Sequence, residues 1–318
     1  MIDDSKMYSV LFCCITTTGY MNAIETGQIL GSGVYGSVEV VIINKVRYAA
    51  KIFHQHLRDS KQFIKEFKVL SQLKHDKIMC YIGLVKLHRF GKELPAVVME
   101  VMQVDLHRRI LLQSPLYQAP LSFREKVIIL QDMSSGLEYL HRNEIVHRDL
   151  TARNVLLNSS GVAKISDIGN SRIVPMEQML TMTCIPEAVV YMAPEATSKQ
   201  CDEKVDSFSF GHLSLFIFID EFPRFLLPLT YESGRKLYAR SEVERRENYL
   251  KKIQTFTNNT AILSYIKRCL EVEPTMRPSA SQLYTILTTL RKRATLSLQT
   301  TDIKSQTGLL TVITYELL

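Results

Sequence analysis

The sequence predicts an α+β fold with strands crowded into the first third and helices filling the rest. Up to about residue 102 the apolar residues fall in short β-rich runs, at Gln28–Leu30, Ser37–Ile43, Arg47–Phe53 and Ala96–Met102. Beyond residue 122 they recur at three- and four-residue intervals, at Val127, Leu130, Met133, Leu137 and Leu140. A segment apolar on every side, Leu213–Ile219, marks a buried helix that stops at Asp220-Glu221-Phe222-Pro223.

Taken in order, the first element carries glycines at 31, 33 and 36 between two β-rich runs. A lone G-x-G-x-x-G fits a plain hairpin turn as well as a loop whose bare backbone amides approach phosphate oxygens. A dinucleotide fold needs a helix directly after the glycines, and Ser37–Ile43 reads as a strand instead. Lys51 interrupts the apolar run Arg47–Phe53, facing solvent or an inward anion according to the face it takes. Phe63, Phe67, Leu70 and Leu73 form a helical stripe that also holds Glu66. A carboxylate on a buried face requires a cation, and Lys51 is its natural partner. Ala96–Met102 reads as a core strand ending in a polar connection.

Ser122-Phe123-Arg124-Glu125 has the form of a capping box and opens the helix that leads to Ile145–Leu157. In that segment two apolar clusters flank a polar core with Asp149 and Asn154, which suits a short loop pinned at both ends. Asn158-Ser159-Ser160-Gly161 then turns the chain between Val155–Leu157 and Val162–Ile165, a hairpin that ends at Ser166-Asp167-Ile168-Gly169. Ser241–Arg246 reads as a solvated, charge-laced helix.

Composition bounds the function classes. The 318 residues, 46% hydrophobic and 22% charged, describe a globular chain able to form one large unit or two lobes. The formal charge of +7 fits a basic surface, and no like-charge block or basic-aromatic interleaving points to nucleic acid. Cysteines 13, 14, 80, 184, 201 and 269 form no C-x-x-C, so reduced thiols in a cytoplasmic setting are expected rather than zinc or disulfides. Val10–Ile15 is too short and too acidic in its approach for a secretory signal, and no segment reaches the length of an integral membrane span.

The segment His147-Arg148-Asp149-Leu150-Thr151-Ala152-Arg153-Asn154 resembles the catalytic loop of eukaryotic protein kinases, H-R-D-L-x-x-x-N, at every fixed position. The other parts follow in the family's order: the glycines, Lys51, Glu66, Asp167-Ile168-Gly169 in the place of D-F-G, and Ala193-Pro194-Glu195. The resemblance covers roughly residues 24–292. It implies a bilobal fold with a small β-rich N-lobe bearing one key helix (about 24–101) and a larger, mainly helical C-lobe (about 102–292). Residues 1–23 would be an N-terminal extension and 293–318 a C-terminal tail.

The resemblance implies ATP and Mg²⁺ as cofactors and a protein substrate, with no reading of oligomeric state. It gives catalytic roles to Lys51, Glu66, Asp149, Arg153 and Asn154, and metal ligation to Asn154 and Asp167. Nucleotide contacts would come from Leu30, Gly31, Gly33, Gly36, Val38, Ala49, Lys51, Glu100, Met102, Leu156 and Asp167, with Met99 at the back of the pocket. Gln103–Leu106 is shorter than the family's usual glycine-containing linker, and Ile168 lacks the ring that normally packs on the loop histidine.

Asp206 would brace the loop backbone, Arg277 would pair with Glu195, and Arg148 would receive a phosphate placed on Thr181 or Thr183. Leu150-Thr151-Ala152-Arg153-Asn154 is similar to the tyrosine-kinase form, while Tyr191 stands where tyrosine kinases carry Trp. That mixture indicates the tyrosine-kinase and tyrosine-kinase-like branch and leaves the acceptor, Tyr or Ser/Thr, open. The competing function is a pseudokinase scaffold, motivated by Ile168 and the short linker.

Overall fold

The computed structural model describes residues 24–33, 36–53, 71–89, 92–111, 119–168, 191–196, 202–220, 247, 250–255 and 259–306. Glu66 and its stripe partners Phe63, Phe67 and Leu70 lie outside these residues. So do Gly169, Thr181, Thr183 and Ser241–Arg246. The fold divides into two compact units, Met1–Gln103 and Val104–Leu318.

The first unit is an antiparallel five-stranded sheet. Its strands are β1 (Ile24–Gly33), β2 (Gly36–Ile43), β3 (Val46–Phe53), β4 (Tyr81–Arg89) and β5 (Lys92–Met99), in the order β1-β2-β3-β5-β4. Asn44 and Lys45 join β2 to β3 with φ of 50° and 66°. Two positive φ values are what a two-residue hairpin turn needs to match the strand twist, and Asn tolerates that backbone region best. Side chains alternate across the pleat, and the core face collects Val41, Ile43, Ala50, Ile52, Val85, Leu87, Ala96 and Val98. Lys51 pairs across the sheet with Val38 and Val97, so it stands on the face opposite Ala50 and Ile52.

The second unit is mainly helical. A three-stranded sheet orders β6 (Val104–Asp105), β7 (Val155–Leu157) and β8 (Ala163–Ile165) as β6-β7-β8. Around it stand α1 (Leu106–Leu111), α2 (Phe123–Arg142), α3 (Lys204–Ile219), α4 (Thr260–Cys269) and α5 (Ala280–Gln306), with a 3₁₀ turn at Pro274–Met276. α2 starts where the sequence places its cap: Ser122 Oγ accepts from Glu125 N (3.3 Å), and a Glu125 oxygen accepts from Ser122 N (2.8 Å). The Ser122 hydroxyl also donates to the Glu125 carboxylate (2.6 Å), and that bond, ahead of the backbone one, holds the Glu125 carboxyl below its ordinary range. The apolar positions of α2 read from the sequence, Val127 to Leu140, are all fully buried. α5 continues to Gln306 without a break at residue 292.

α3 is buried from Val205 to Ile219, a stretch that contains the apolar run Leu213–Ile219 read from the sequence. Gly211 lies close against α4: a Cβ there would meet Cys269 Cβ at 2.6 Å, so any side chain would push the helices apart. Among the described residues, no helix is long and apolar enough to cross a membrane.

His212, inside α3, packs on the Phe208 ring at 4.8 Å between centroids, and its Nδ1 has no hydrogen-bond partner among the described residues. Burial pushes its imidazole down to about 3, against about 6.5 in an unfolded chain. Between those values the unfolded state binds a proton that the folded state refuses, so stability is complete above pH ~6.5 and falls as pH drops.

Two predictions follow from this packing. Ser122→Ala removes the α2 cap at a cost of about 1 kcal/mol, read as a lower urea midpoint at unchanged m-value. His212→Leu flattens the fall of the urea midpoint between pH ~6.5 and ~4 relative to the parent chain; parallel profiles would reject His212 as the titrating group.

Candidate active site

In the second unit the site is built outward from Asp206, whose side chain is fully buried on the first turn of α3. Its carboxylate accepts from His147 N (2.8 Å) and Arg148 N (2.7 Å). His141 Nε2 lies 2.9 Å from the same carboxylate and donates to it, because a carboxylate can only accept. These bonds hold Arg148 at φ 63°, a region a non-glycine residue leaves unless its surroundings impose it.

The next contact is made by the His147 ring, which is fully buried. Its Nε2 lies 2.8 Å from Ser166 O, and Asp149 N donates to its Nδ1 at 3.2 Å. A carbonyl accepts only, so the ring proton sits on Nε2 and Nδ1 offers its lone pair. Only the neutral imidazole satisfies both bonds. The ring thereby ties the loop to the residue just before Asp167. Asn154 O adds two more ties, accepting from Ser166 N (2.8 Å) and Ser166 Oγ (3.1 Å).

Asn154 Nδ2 donates to Asp149 O (2.7 Å) and to Asp149 Oδ2 (3.0 Å). The amide is therefore oriented with Oδ1 turned away from Asp149, as an oxygen donor for a cation. Asp167 follows β8 with φ 58°, and Ile168 beside it is 3% exposed. The Asn154 amide oxygen and the Asp167 carboxylate are both hard oxygen donors. Mg²⁺ takes such ligands and draws the rest of its shell from water and phosphate, so the donor set fits that ion. Among the described residues no group of three or more His, Cys, Asp or Glu side chains is arranged to hold a metal ion.

Arg153 is exposed, with Nη2 at 3.4 Å from His107 Nε2. Leu156 is partly buried in β7, paired with Asp105 and Lys164. The Asp105 carboxylate is engaged at the start of α1, accepting from Arg108 N (2.8 Å) and pairing with the Arg108 guanidinium (3.3 Å).

In the first unit, strand register places Val38, Ala49, Lys51, Val97 and Met99 on one face of the sheet. Gly31 pairs with Val38, and Gly33 with Gly36, where β1 turns into β2. Lys51 is 9% exposed. Glu100 closes the edge near β4: its N–H donates to Cys80 O (3.2 Å) and its carboxylate accepts from Cys80 N (2.8 Å). Met102 follows, partly buried.

Arg277, 1% exposed, makes bidentate bonds to Glu195, Nη2 reaching Oε2 at 2.9 Å. The remaining guanidinium donors reach Glu271 O (2.7 Å), Lys204 O (3.1 Å) and Val272 O (3.0 Å), and the cation sits 4.9 Å from the Phe208 ring centre. The contacts of His107, His141 and Ser166 were not legible in the sequence. Nothing in residue type or spacing marks them, since each partner arrives from a distant segment.

A sheet unit with Lys51 on its non-core face and a helical unit whose loop ties Asp149 to Asn154 match the parts of a protein kinase domain. The family model described as protein tyrosine and serine/threonine kinase matches residues 24–287. The chain belongs to that family. Similar proteins include a probable serine/threonine-protein kinase of Dictyostelium discoideum, 29% identical over 200 residues, covering 62% of this chain and 32% of the relative. Wall-associated receptor kinase 2 of Arabidopsis thaliana is 29% identical over 205 residues, covering 60% and 26%. The tyrosine-protein kinase transmembrane receptor Ror of Drosophila melanogaster is 35% identical over 157 residues, covering 47% and 22%. The chain thus spans between 22% and 32% of the length of these three relatives.

Asp206→Asn replaces one acceptor oxygen with an NH₂ that opposes a backbone N–H. It should destabilise the chain by about 3 kcal/mol. Chemical denaturation checks this; a midpoint equal to the parent's would show that the brace does not support the fold.

Proposed function

We propose that this chain is an active, ATP- and Mg²⁺-dependent protein kinase domain that phosphorylates a protein hydroxyl. The observation that carries the proposal is the Asn154 amide bonded to both the carbonyl and the carboxylate of Asp149. That arrangement fixes one oxygen of a loop carboxylate and aims the amide oxygen elsewhere. A merely structural loop has no use for it.

The Asp149 carboxylate takes the acceptor hydroxyl as a hydrogen-bond donor and receives its proton as the oxygen attacks the γ-phosphorus, while the bond from the γ-phosphorus to the β–γ bridging oxygen breaks and ADP leaves. Oδ2 is held by Asn154, so the reactive oxygen keeps its direction through the step. Asn154 Oδ1 and Asp167 hold Mg²⁺, which when bound neutralises charge on the phosphates. We assign Lys51 to the phosphates and Glu66 to Lys51. Leu30, Gly31, Gly33, Gly36, Val38, Ala49, Glu100, Met102 and Leu156 are assigned to the nucleotide, and Arg153 to the acceptor. Barrier lowering then comes mainly from positioning and charge neutralisation. The proposed domain runs from 24 to 292, with lobes meeting near 101/102, an extension over 1–23 and a tail over 293–318.

Lys51→Met and Asp149→Asn should each reduce transfer from radiolabelled ATP on the order of 10²–10⁴-fold while leaving circular dichroism and the urea midpoint close to the parent values. Equal signals from parent and variants, or no transfer by the parent chain with ATP and Mg²⁺, would instead favour a pseudokinase scaffold.

A further inference from the structure

We propose that His107 is a positioning residue for the acceptor side of the reaction, holding the Arg153 guanidinium beside the catalytic loop. The proposal deepens the function just given and rests on it for the role of Arg153. Three contacts converge on this histidine. Its backbone N–H donates to Ala152 O at 3.1 Å, which pins the first turn of α1 to the loop between Asp149 and Asn154. Its ring lies against Phe216 of α3, with centroids 6.1 Å apart and planes 18° from parallel, so the ring plane is set from the buried helix. Its Nε2 faces Arg153 Nη2 at 3.4 Å.

Guanidinium nitrogens only donate, so Nε2 must present a lone pair and the ring proton must sit on Nδ1. An exposed arginine otherwise samples many rotamers, and ordering it at the moment of binding costs affinity. Restraint through one nitrogen reduces that cost, and a guanidinium held there matches an acidic group on the acceptor in shape and charge. A 3.4 Å contact is long for a hydrogen bond, so the expected effect is a few-fold rather than a loss of activity.

The test has two arms. In the first, KM for acceptor and for ATP, and kcat, are measured with peptides carrying Ser, Thr or Tyr flanked by glutamates. The proteins are the parent chain, His107→Phe, which keeps the ring stack but has no acceptor atom, and His107→Gln, whose carbonyl accepts again. Acceptor KM should rise about three- to tenfold in His107→Phe, with ATP KM unchanged and with His107→Gln restored toward the parent value. An unchanged acceptor KM in His107→Phe, or a parallel rise in both KM values, overturns the proposal. The second arm needs no turnover: ¹⁵N spectra of the full, histidine-labelled chain should show His107 protonated on Nδ1, with an Nε2 resonance that moves in Arg153→Leu. A proton on Nε2, or an Nε2 indifferent to Arg153→Leu, also overturns it. If the parent transfers no phosphate, the kinase function fails, and the spectra still decide whether His107 holds Arg153.

Discussion

The geometry of the His147–Asn154 loop depends on one buried carboxylate. Asp206 is wholly removed from water, and a carboxylate in that position is tolerated only when both of its oxygens are hydrogen-bonded. Two consecutive backbone amides and a histidine meet that requirement. The satisfaction runs both ways. By taking the His147 and Arg148 amides, Asp206 holds the chain in a left-handed kink at Arg148, the residue directly before Asp149. Because the carboxylate belongs to α3, a helix buried along nearly its whole length, the loop is referenced to the core of its unit.

From that anchor the order propagates through short bonds. His147 reaches Ser166, Ser166 reaches the Asn154 carbonyl, and Asn154 reaches both ends of Asp149. Asp149, Asn154 and the backbone leading to Asp167 are thereby members of one connected network rather than three independent placements. Such a network is stiff because loosening one bond leaves a buried polar group unpaired. Positional stiffness is what phosphoryl transfer asks of a protein, since little covalent chemistry falls to the side chains themselves.

Arg277 solves a related problem elsewhere in the unit. Its guanidinium is almost fully buried, and its bonds go to one carboxylate and three carbonyls. A lysine has three donors and no planar fork, so it fills neither the bidentate pair with Glu195 nor the carbonyl contacts around it. The consequence is that the segment ending at Glu195 is fastened to the chain around residues 271–277 and to the start of α3 at Lys204.

Much of this was legible in the sequence, for reasons that are local. The capping box at Ser122 and Glu125, the three- and four-residue spacing of α2, the Asn158–Gly161 turn and the all-apolar stretch of α3 each follow from short-range backbone and burial rules. The motif order pointed to Asp149, Asn154, Asp167 and Lys51, and strand alternation places Ala49 and Lys51 on a common face, which the β2–β3 register extends to Val38. Tertiary structure decided what depends on partners far along the chain. The proton on His147 Nε2 is set by Ser166, 19 residues away, and the His107 contact to Arg153 spans 46. Neither contact has a sequence signature, because a hydrogen bond is fixed by where two atoms are brought, and only the packing of α1, α3 and the loop brings these together.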